Sequence, residues 1–434
     1  MAQFICKPGK KVRGMMRVPG DKSMSHRSII LSSIADCSSQ ISGFLEGEDS
    51  LNTIKAFQQR GVSIEREQDQ VTVIGAGLHG LNKPVADLDM GNSGTAMRLL
   101  LGLLAGQAFD TRLIGDSSLS SRPMQRVIQP LQMMGALIEC EPEGRAPLQI
   151  RGNRELHAID YNMPVASAQV KSCLLLAGLY ANGETVVREP APTRDHSERM
   201  LRGFGCELSS HQSEIRIRGA QALTARDVEV PADISSAAFF MVAASIAEGS
   251  EITLQQVGVN PTRTGVIDIL KLMGANIELV NQRDVGGEPV ADIRVTSAKL
   301  KGIDIPLHLV PLAIDEFPVL FIAAACADGT TRLSGAEELR VKESDRIQVM
   351  ADGLVTLGID AQTKSDGIII QGGELAGGEV ESHGDHRIAM AFSVASLRAN
   401  DEIHINDCAN VNTSFPGFVE LARTAGIRIS TNEQ

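Results

Sequence analysis

The sequence has no Trp, two Tyr and twelve Phe, so few rings are available to stack on nucleobases. Its 41 basic residues are outnumbered by 53 acidic ones, for a formal net charge of −12. That balance excludes a broad nucleic-acid surface or an anionic-membrane surface. Seven cysteines (Cys6, Cys37, Cys140, Cys173, Cys206, Cys326 and Cys408) stand apart, odd in number and without a CxxC pair. This is the pattern of reduced thiols, not of a disulfide framework or a zinc site. The longest apolar runs, such as residues 99–104 and 237–247, fall well short of the ~20 needed to span a bilayer. The opening MAQFICKPGKKVRG has no apolar signal core, so a cytoplasmic protein without a secretory peptide is expected. What remains is a globular composition, 43% hydrophobic and 22% charged over 434 residues, with aliphatic cores and at least two domains.

Cofactor signatures are also missing. There is no GxxxxGK(S/T) loop for nucleoside triphosphates. A GxGxxG string runs from Gly75 to Gly80, but LNKPVADLDMGN follows it, with Pro84 and no helical periodicity. A dinucleotide fingerprint needs a helix at that point, so the string reads as a Gly-rich turn. His383 and His386 lack the i, i+4 spacing of a zinc helix and have no Cys partner. Neither a metal nor a cofactor is expected.

What is present is a repeat. An amphipathic helix, a Gly and a β-branched strand recur as LNTIKAFQQRGVSIE, MQRVIQPLQMMGALIEC, SERMLRGFGCELSS, GVIDILKLMGANIEL, IQVMADGLVTLGIDAQ and FVELARTAGIRIS. The glycines Gly61, Gly135, Gly205, Gly274, Gly358 and Gly426 are separated by 74, 70, 69, 84 and 68 residues. Each supplies the left-handed cap that stops a helix before a strand. A second, almost uniformly apolar helix accompanies each one, as in GTAMRLLLGLLAG, SSAAFFMVAASIAEGS and DEFPVLFIAAACADGT, and residues 25–35 supply the sixth. Uniform hydrophobicity marks buried helices. Six α/β modules of about 70 residues, three per domain, predict two similar domains with helices inside and sheets outside. The look-alike segments VPGD (18–21) and VPADISS (230–236) mark the crossovers. They place one domain at 20–232 and the other at 233–434 plus 1–19.

The buried helices begin with small polar residues: Ser23 and Ser25, Asn92-Ser93-Gly94-Thr95, Ser167-Ala168-Gln169, Ser235-Ser236, Asp315-Glu316 and Gly384-Asp385. Such residues are first of all N-caps. A helix start is also an anion site, with unpaired N–H groups and about half a positive charge. Beside these starts stand Lys22, Arg27, Arg98, Arg122, Arg126, Arg194, Lys342, Arg346 and Arg387. Cations gathered at loop-to-helix junctions in an acidic chain point to anionic substrates, with Arg suited to carboxylate and phosphate.

The stretches PGDKSMSHR (19–27), GNSGTAMR (91–98), RPM (122–124), RVKESDR (340–346), DHRIAM (385–390) and SFP (414–416) together resemble the 5-enolpyruvylshikimate-3-phosphate synthases, a branch of the enolpyruvyl transferases, over essentially the whole chain. The resemblance implies an α/β fold of two similar domains, each of three βαβαββ-type units, with an active site in the inter-domain cleft. It implies transfer of the enolpyruvyl group of phosphoenolpyruvate to the 5-hydroxyl of shikimate 3-phosphate, with release of phosphate, on the way to chorismate and the aromatic amino acids. The enzyme would be a cytoplasmic monomer working on small molecules, without nucleic acid or membrane, and a target of the herbicide glyphosate. Asp315 would be the base at the hydroxyl, and Glu343 and Lys22 would handle the protons at the methylene carbon and the hydroxyl. Lys22, Asn92, Ser93, Gly94, Arg122, Gln169, Arg346, His386 and Arg387 would hold phosphoenolpyruvate. Lys22, Ser23, Arg27, Ser167, Ala168, Gln169, Arg194, Asp315 and Lys342 would hold shikimate 3-phosphate.

Two departures from the family pattern stand out. One branch carries a Lys just before the Phe-Pro step, where this chain has Asn412-Thr413-Ser414-Phe415-Pro416. With TRDHSERM and ASAQVKS, this places the chain nearer the second branch, where glyphosate resistance is common. Resistant members often carry Ala in place of Gly94, which leaves room for the inhibitor. The competing reading is the transferase acting on UDP-N-acetylglucosamine. It typically uses a mobile-loop Cys as acid, and residues 110–122 contain none. A non-catalytic anion-binding scaffold would have lost its carboxylates, whereas Asp315 and Glu343 are both present.

Overall fold

The computed structural model describes residues 2–152 and 155–433. They form two compact units. One comprises the residues up to Pro19, Pro231–Asp284 and those from Pro289 on; the other comprises Gly20–Val230 with Val285–Glu288. The crossover thus falls two residues before the boundary expected at 232. The reason is hydrogen bonding: Val230 N still donates to Ser42 O at 2.8 Å, whereas Ala232 N donates to Gln256 O at 2.8 Å. Pro231 between them has no N–H to pair, so the chain changes partners there. The turn Val285–Glu288 was not foreseen as part of the Gly20–Val230 unit; its Gly287 carbonyl accepts from Arg199 Nη1 at 2.8 Å.

One sheet plan is repeated. In the Gly20–Val230 unit the strand orders are Val228–Glu229, Ser38–Ser42, Gln70–Ile74, Ser63–Glu67; then Leu88–Asp89, Thr111–Ile114, Arg145–Arg151, Leu137–Glu141; then Asp160–Asn162, Glu184–Arg188, Glu214–Arg218, Leu208–His211. In each sheet the first pairing is parallel and the other two are antiparallel. The other unit follows the same plan, and its sheet Gly378–Glu381, Ile403–Asn406, Ala2–Lys7, Arg428–Glu433 takes its third strand from the start of the chain. Its shortest sheet has three strands, Thr330–Leu333, Gly367–Gln371 and Ala361–Lys364, and a lone parallel bridge from Asp304 to Arg332 stands where a fourth would pair.

The apolar helices lie inside. Every residue of Ile234–Ile246 and of Phe317–Ala325 is buried, and burying each large aliphatic or aromatic side chain is worth about 1.5–3 kcal/mol. Gly94–Ala105 and Ala168–Gly178 approach so closely that a Cβ at Gly102 would sit 2.0 Å from the Cys173 carbonyl oxygen. The six repeat glycines Gly61, Gly135, Gly205, Gly274, Gly358 and Gly426 all adopt positive φ, from +85° to +110°. A Cβ would strain that backbone, which is why the repeat is written in Gly.

Candidate active site

In the Gly20–Val230 unit, three inner helices begin at residues the sequence assigned to the candidate site. Asp21 caps Lys22–Ile34 by accepting from Met24 N at 2.8 Å, so the sequence expectation of Ser23 or Ser25 as cap is corrected by two to four residues. Ser93 caps Gly94–Ala105, accepting from Ala96 N at 3.1 Å, and Ser167 caps Ala168–Gly178, accepting from Val170 N at 3.3 Å. Three arginines here donate to neutral groups. Arg27, 4% exposed, donates to Ser197 Oγ at 2.7 Å, to Ser172 Oγ at 2.8 Å and to the Ser23 carbonyl at 2.9 Å. Arg122 donates to Asn92 Oδ1 at 2.7 Å, and Arg98 donates to Gln169 Oε1 at 2.7 Å. A Cβ at Gly94 would meet Arg98 Nη1 at 2.9 Å, so an added methyl there would push that guanidinium aside, while Arg122 Nη1 at 3.5 Å would be an ordinary contact.

Lys22 forms an ion pair with the buried Asp49. His26 is fully buried between Thr53 Oγ1, at 2.8 Å, and Ser93 Oγ, at 3.4 Å. Burial pushes its pKa down to about 3, so the ring is neutral at physiological pH. Deeper still, Lys171 pairs with Glu189 at 2.9 Å and Glu198 at 2.7 Å. Burial raises the Glu189 carboxyl above its ordinary range despite that cation. Arg194 lies half-buried just ahead of the helix His196–Gly203.

The other unit brings carboxylates together with cations. Asp315 Oδ1 lies 3.4 Å from Lys342 Nζ and 3.7 Å from Arg346 Nη1. Arg346, 1% exposed, donates through Nε to Asp385 Oδ2 at 2.8 Å and through Nη2 to Glu343 Oε2 at 2.6 Å. Burial alone would pull this guanidinium down; the carboxylates of Asp385, Glu343 and Asp315 outweigh it and hold the pKa above the usual value. Arg387 Nη1 donates to the Asp315 backbone carbonyl at 2.9 Å. Asp385 caps the helix His386–Ala395, and its first residue, His386, is buried. The unit therefore holds two carboxylates, Asp315 and Glu343, at opposite ends of one guanidinium. Carboxylates are candidate proton acceptors, and the neighbouring cations suit an anionic reactant.

Several sequence expectations need correcting. Ser235 and Ser236 do not cap their helix; Asp233 does, accepting from both of their amides. Asp315-Glu316 looks like an ordinary cap, yet Phe317–Ala325 has no side-chain cap bond. Arg346, expected to hold phosphoenolpyruvate, also bonds to Asp385 and Glu343, and its Nη1 is buried without a hydrogen-bond partner among the described residues. Sequence reasoning missed Asp49, Lys171 and Arg263. A Lys inside the apolar run AQVKSCLLLAG should have been a signal, because a buried amine needs carboxylate partners. Asp49 looks like any acidic residue in a helix's first turn, and Arg263 has no local signature.

The chain can now be set beside known proteins. The family model for EPSP synthase (3-phosphoshikimate 1-carboxyvinyltransferase) matches residues 6–421. The chain is similar to a 3-phosphoshikimate 1-carboxyvinyltransferase of Alkalilimnicola ehrlichii, 63% identical over 99% of this chain and 97% of that one. It is similar to that of Methylococcus capsulatus, 61% identical over 99% and 98%. Among solved structures, the EPSP synthase of Acinetobacter baumannii superposes with a TM-score of 0.91 at 55% identity, covering 100% of both chains. With the repeated α/β fold and the conjunction of Asp315, Lys342, Glu343, Arg346 and Arg387, these similarities establish that the chain belongs to the EPSP synthase family.

Proposed function

We propose how this chain carries out the reaction of its family, transfer of the enolpyruvyl group of phosphoenolpyruvate to the 5-hydroxyl of shikimate 3-phosphate. The observation that carries the reading is the convergence on Arg346 of Asp315 and Glu343, which are 28 residues apart in sequence, with Lys342 beside them. The hydroxyl must lose a proton as its oxygen bonds to C2 of phosphoenolpyruvate, while C3 gains a proton. The C2–O bond to phosphate then breaks, and the new methyl group returns a proton to leave the vinyl ether. Asp315 takes the hydroxyl proton; Glu343 and Lys22 exchange the protons at C3 and at the hydroxyl. The Asp315 and Glu343 carboxylates also stabilise the positive charge that develops at C2.

Arg122, Arg387 and Lys22, with Asn92, Ser93, Gly94 and Gln169, hold the carboxylate and phosphate of phosphoenolpyruvate. Arg346 contributes its remaining Nη1 donor, and His386 attends the departing phosphate. Ser23, Arg27, Ser167, Ala168, Gln169, Arg194 and Lys342 hold shikimate 3-phosphate, with Arg27 on its carboxylate and Ser167 on its phosphate. A chain of 46.4 kDa acting as a monomer in the cytoplasm completes this reading. Phosphate release from phosphoenolpyruvate, measured with shikimate 3-phosphate and with UDP-N-acetylglucosamine as acceptor, tests it. Turnover is expected with the first only; turnover with the second alone would overturn the assignment.

A further inference from the structure

Five of the six inner helices are capped by a side chain: Asp21, Ser93, Ser167, Asp233 and Asp385 each accept a backbone N–H. The exception is Phe317–Ala325, although Glu316 at its N-cap position has a carboxylate that could serve. That carboxylate turns inward instead. It is fully buried, its Oε1 accepts from Ser235 Oγ, and it lies 3.7 Å from Arg263 Nη2 and 4.0 Å from Arg387 Nη1. Ser235 Oγ in turn accepts from Arg263 Nη2 at 2.7 Å, so the hydroxyl relays one guanidinium to the carboxylate. Arg263 is itself buried and faces Asp233 Oδ1 at 3.3 Å. Glu316 Oε2 is buried without a hydrogen-bond partner among the described residues.

A buried carboxylate with one oxygen unsatisfied is a poor way to stabilise a fold; an exposed cap at the same position would cost less. What the arrangement achieves is placement. Arg387 Nη1 sits between the Asp315 carbonyl, at 2.9 Å, and the Glu316 carboxylate. The two residues holding it are consecutive in the chain, and Glu316 is clamped from its far side by Arg263 and Ser235. We propose that Glu316, gripped by Arg263 and Ser235, is a positioning residue that aims Arg387 at the phosphoenolpyruvate carboxylate or phosphate. This rests on the role given above to Arg387.

The test uses the full-length enzyme with three variants. Arg387→Gln is the reference for loss of the aimed group. The double variant Arg263→Gln with Glu316→Gln removes one positive and one negative charge, so the net buried charge is kept, although Gln is shorter than Arg and leaves Asp233 without this cation. It is expected to unfold within a few degrees of the parent. Its KM for phosphoenolpyruvate should nonetheless rise about tenfold, the scale of one charge-assisted hydrogen bond, with kcat within about threefold and shikimate 3-phosphate affinity within about twofold. Ser235→Ala loosens the clamp without touching a charge and should raise the same KM by about threefold. A purely structural pair would move the unfolding temperature and leave this KM alone. If Arg387→Gln raises the KM while the double variant and Ser235→Ala both leave it within twofold, the positioning role is wrong and the site reading stands. If Arg387→Gln itself leaves the KM unchanged, the site reading and the positioning role both fall.

Discussion

The two units handle charge in opposite ways. In the Gly20–Val230 unit, Arg27, Arg98 and Arg122 rest on hydroxyls, amide oxygens and a carbonyl. In the other, Arg346, Arg387 and Lys342 are interleaved with Asp315, Glu316, Glu343 and Asp385. A guanidinium fixed by neutral groups keeps its full charge and an orientation suited to an incoming anion. A guanidinium fixed by carboxylates has given up most of that attraction, but it holds the carboxylates in register. On the proposed function, the first arrangement serves mainly binding, and the second, with Lys22 of the Gly20–Val230 unit, proton exchange. One repeated fold supports both because the difference lies in a few side chains at helix starts, not in the sheets or the inner helices.

The largest expected effect would break this contrast at its chemical end. Asp315→Asn and Glu343→Gln keep shape but remove the proton acceptor, and each should lower kcat by about 10²–10⁴-fold. Shikimate 3-phosphate affinity, measured by calorimetry, should stay within about threefold. Near-parental turnover in either variant removes that residue from the chemistry. The complementary change is Arg27→Gln in the binding unit. It deletes donors to Ser172 and Ser197 together with the charge. The dissociation constant for shikimate 3-phosphate should rise by about 10–100-fold, with kcat at saturation falling by less than about tenfold. Should kcat fall as far as in Asp315→Asn, the division between a binding unit and a proton-exchanging unit does not hold.

The parts of this molecule legible in its sequence are those set by local requirements. Gly61 and its five counterparts announce helix ends because only a left-handed residue completes that cap, and inner helices such as Ile234–Ile246 announce burial because no polar stripe is present. Caps were less legible. Asp21 and Ser23, or Asp233 and Ser235, are all acceptable cap residues, and one or two positions decide which of them meets the free N–H groups. Partnerships were the hardest to read. Arg263 meets Glu316 across 53 positions of sequence and Arg27 meets Ser197 across 170, and nothing near either arginine names its partner. Asp315 and Glu343 were placed by resemblance; their spacing alone would have read as a cap and a surface ion pair.

The smallest expected effect sharpens the contrast through acid stability. His26 is buried in the binding unit, where burial pushes its pKa down to about 3 from an ordinary value of 6.5. Between pH 6.5 and pH 3 the unfolded chain binds a proton that the folded chain refuses, so stability is complete above pH 6.5 and is lost progressively as pH falls. At about 1.4 kcal/mol per pH unit, this amounts to about 2 kcal/mol at pH 5. Arg346 behaves in the opposite sense, its charge held on by the surrounding carboxylates, so it adds nothing to this loss. Hydrogen exchange at pH 7 and pH 5 should therefore show protection falling more in Lys22–Ile34 and Gly94–Ala105, the helices bridged by His26 and Ser93, than in Ile234–Ile246 and Phe317–Ala325. In His26→Gln, which can still hydrogen-bond Thr53 but cannot take up a proton, the difference between the two sets of helices should disappear. An unchanged pH dependence in that variant would mean that the acid sensitivity of this unit does not come from the imidazole.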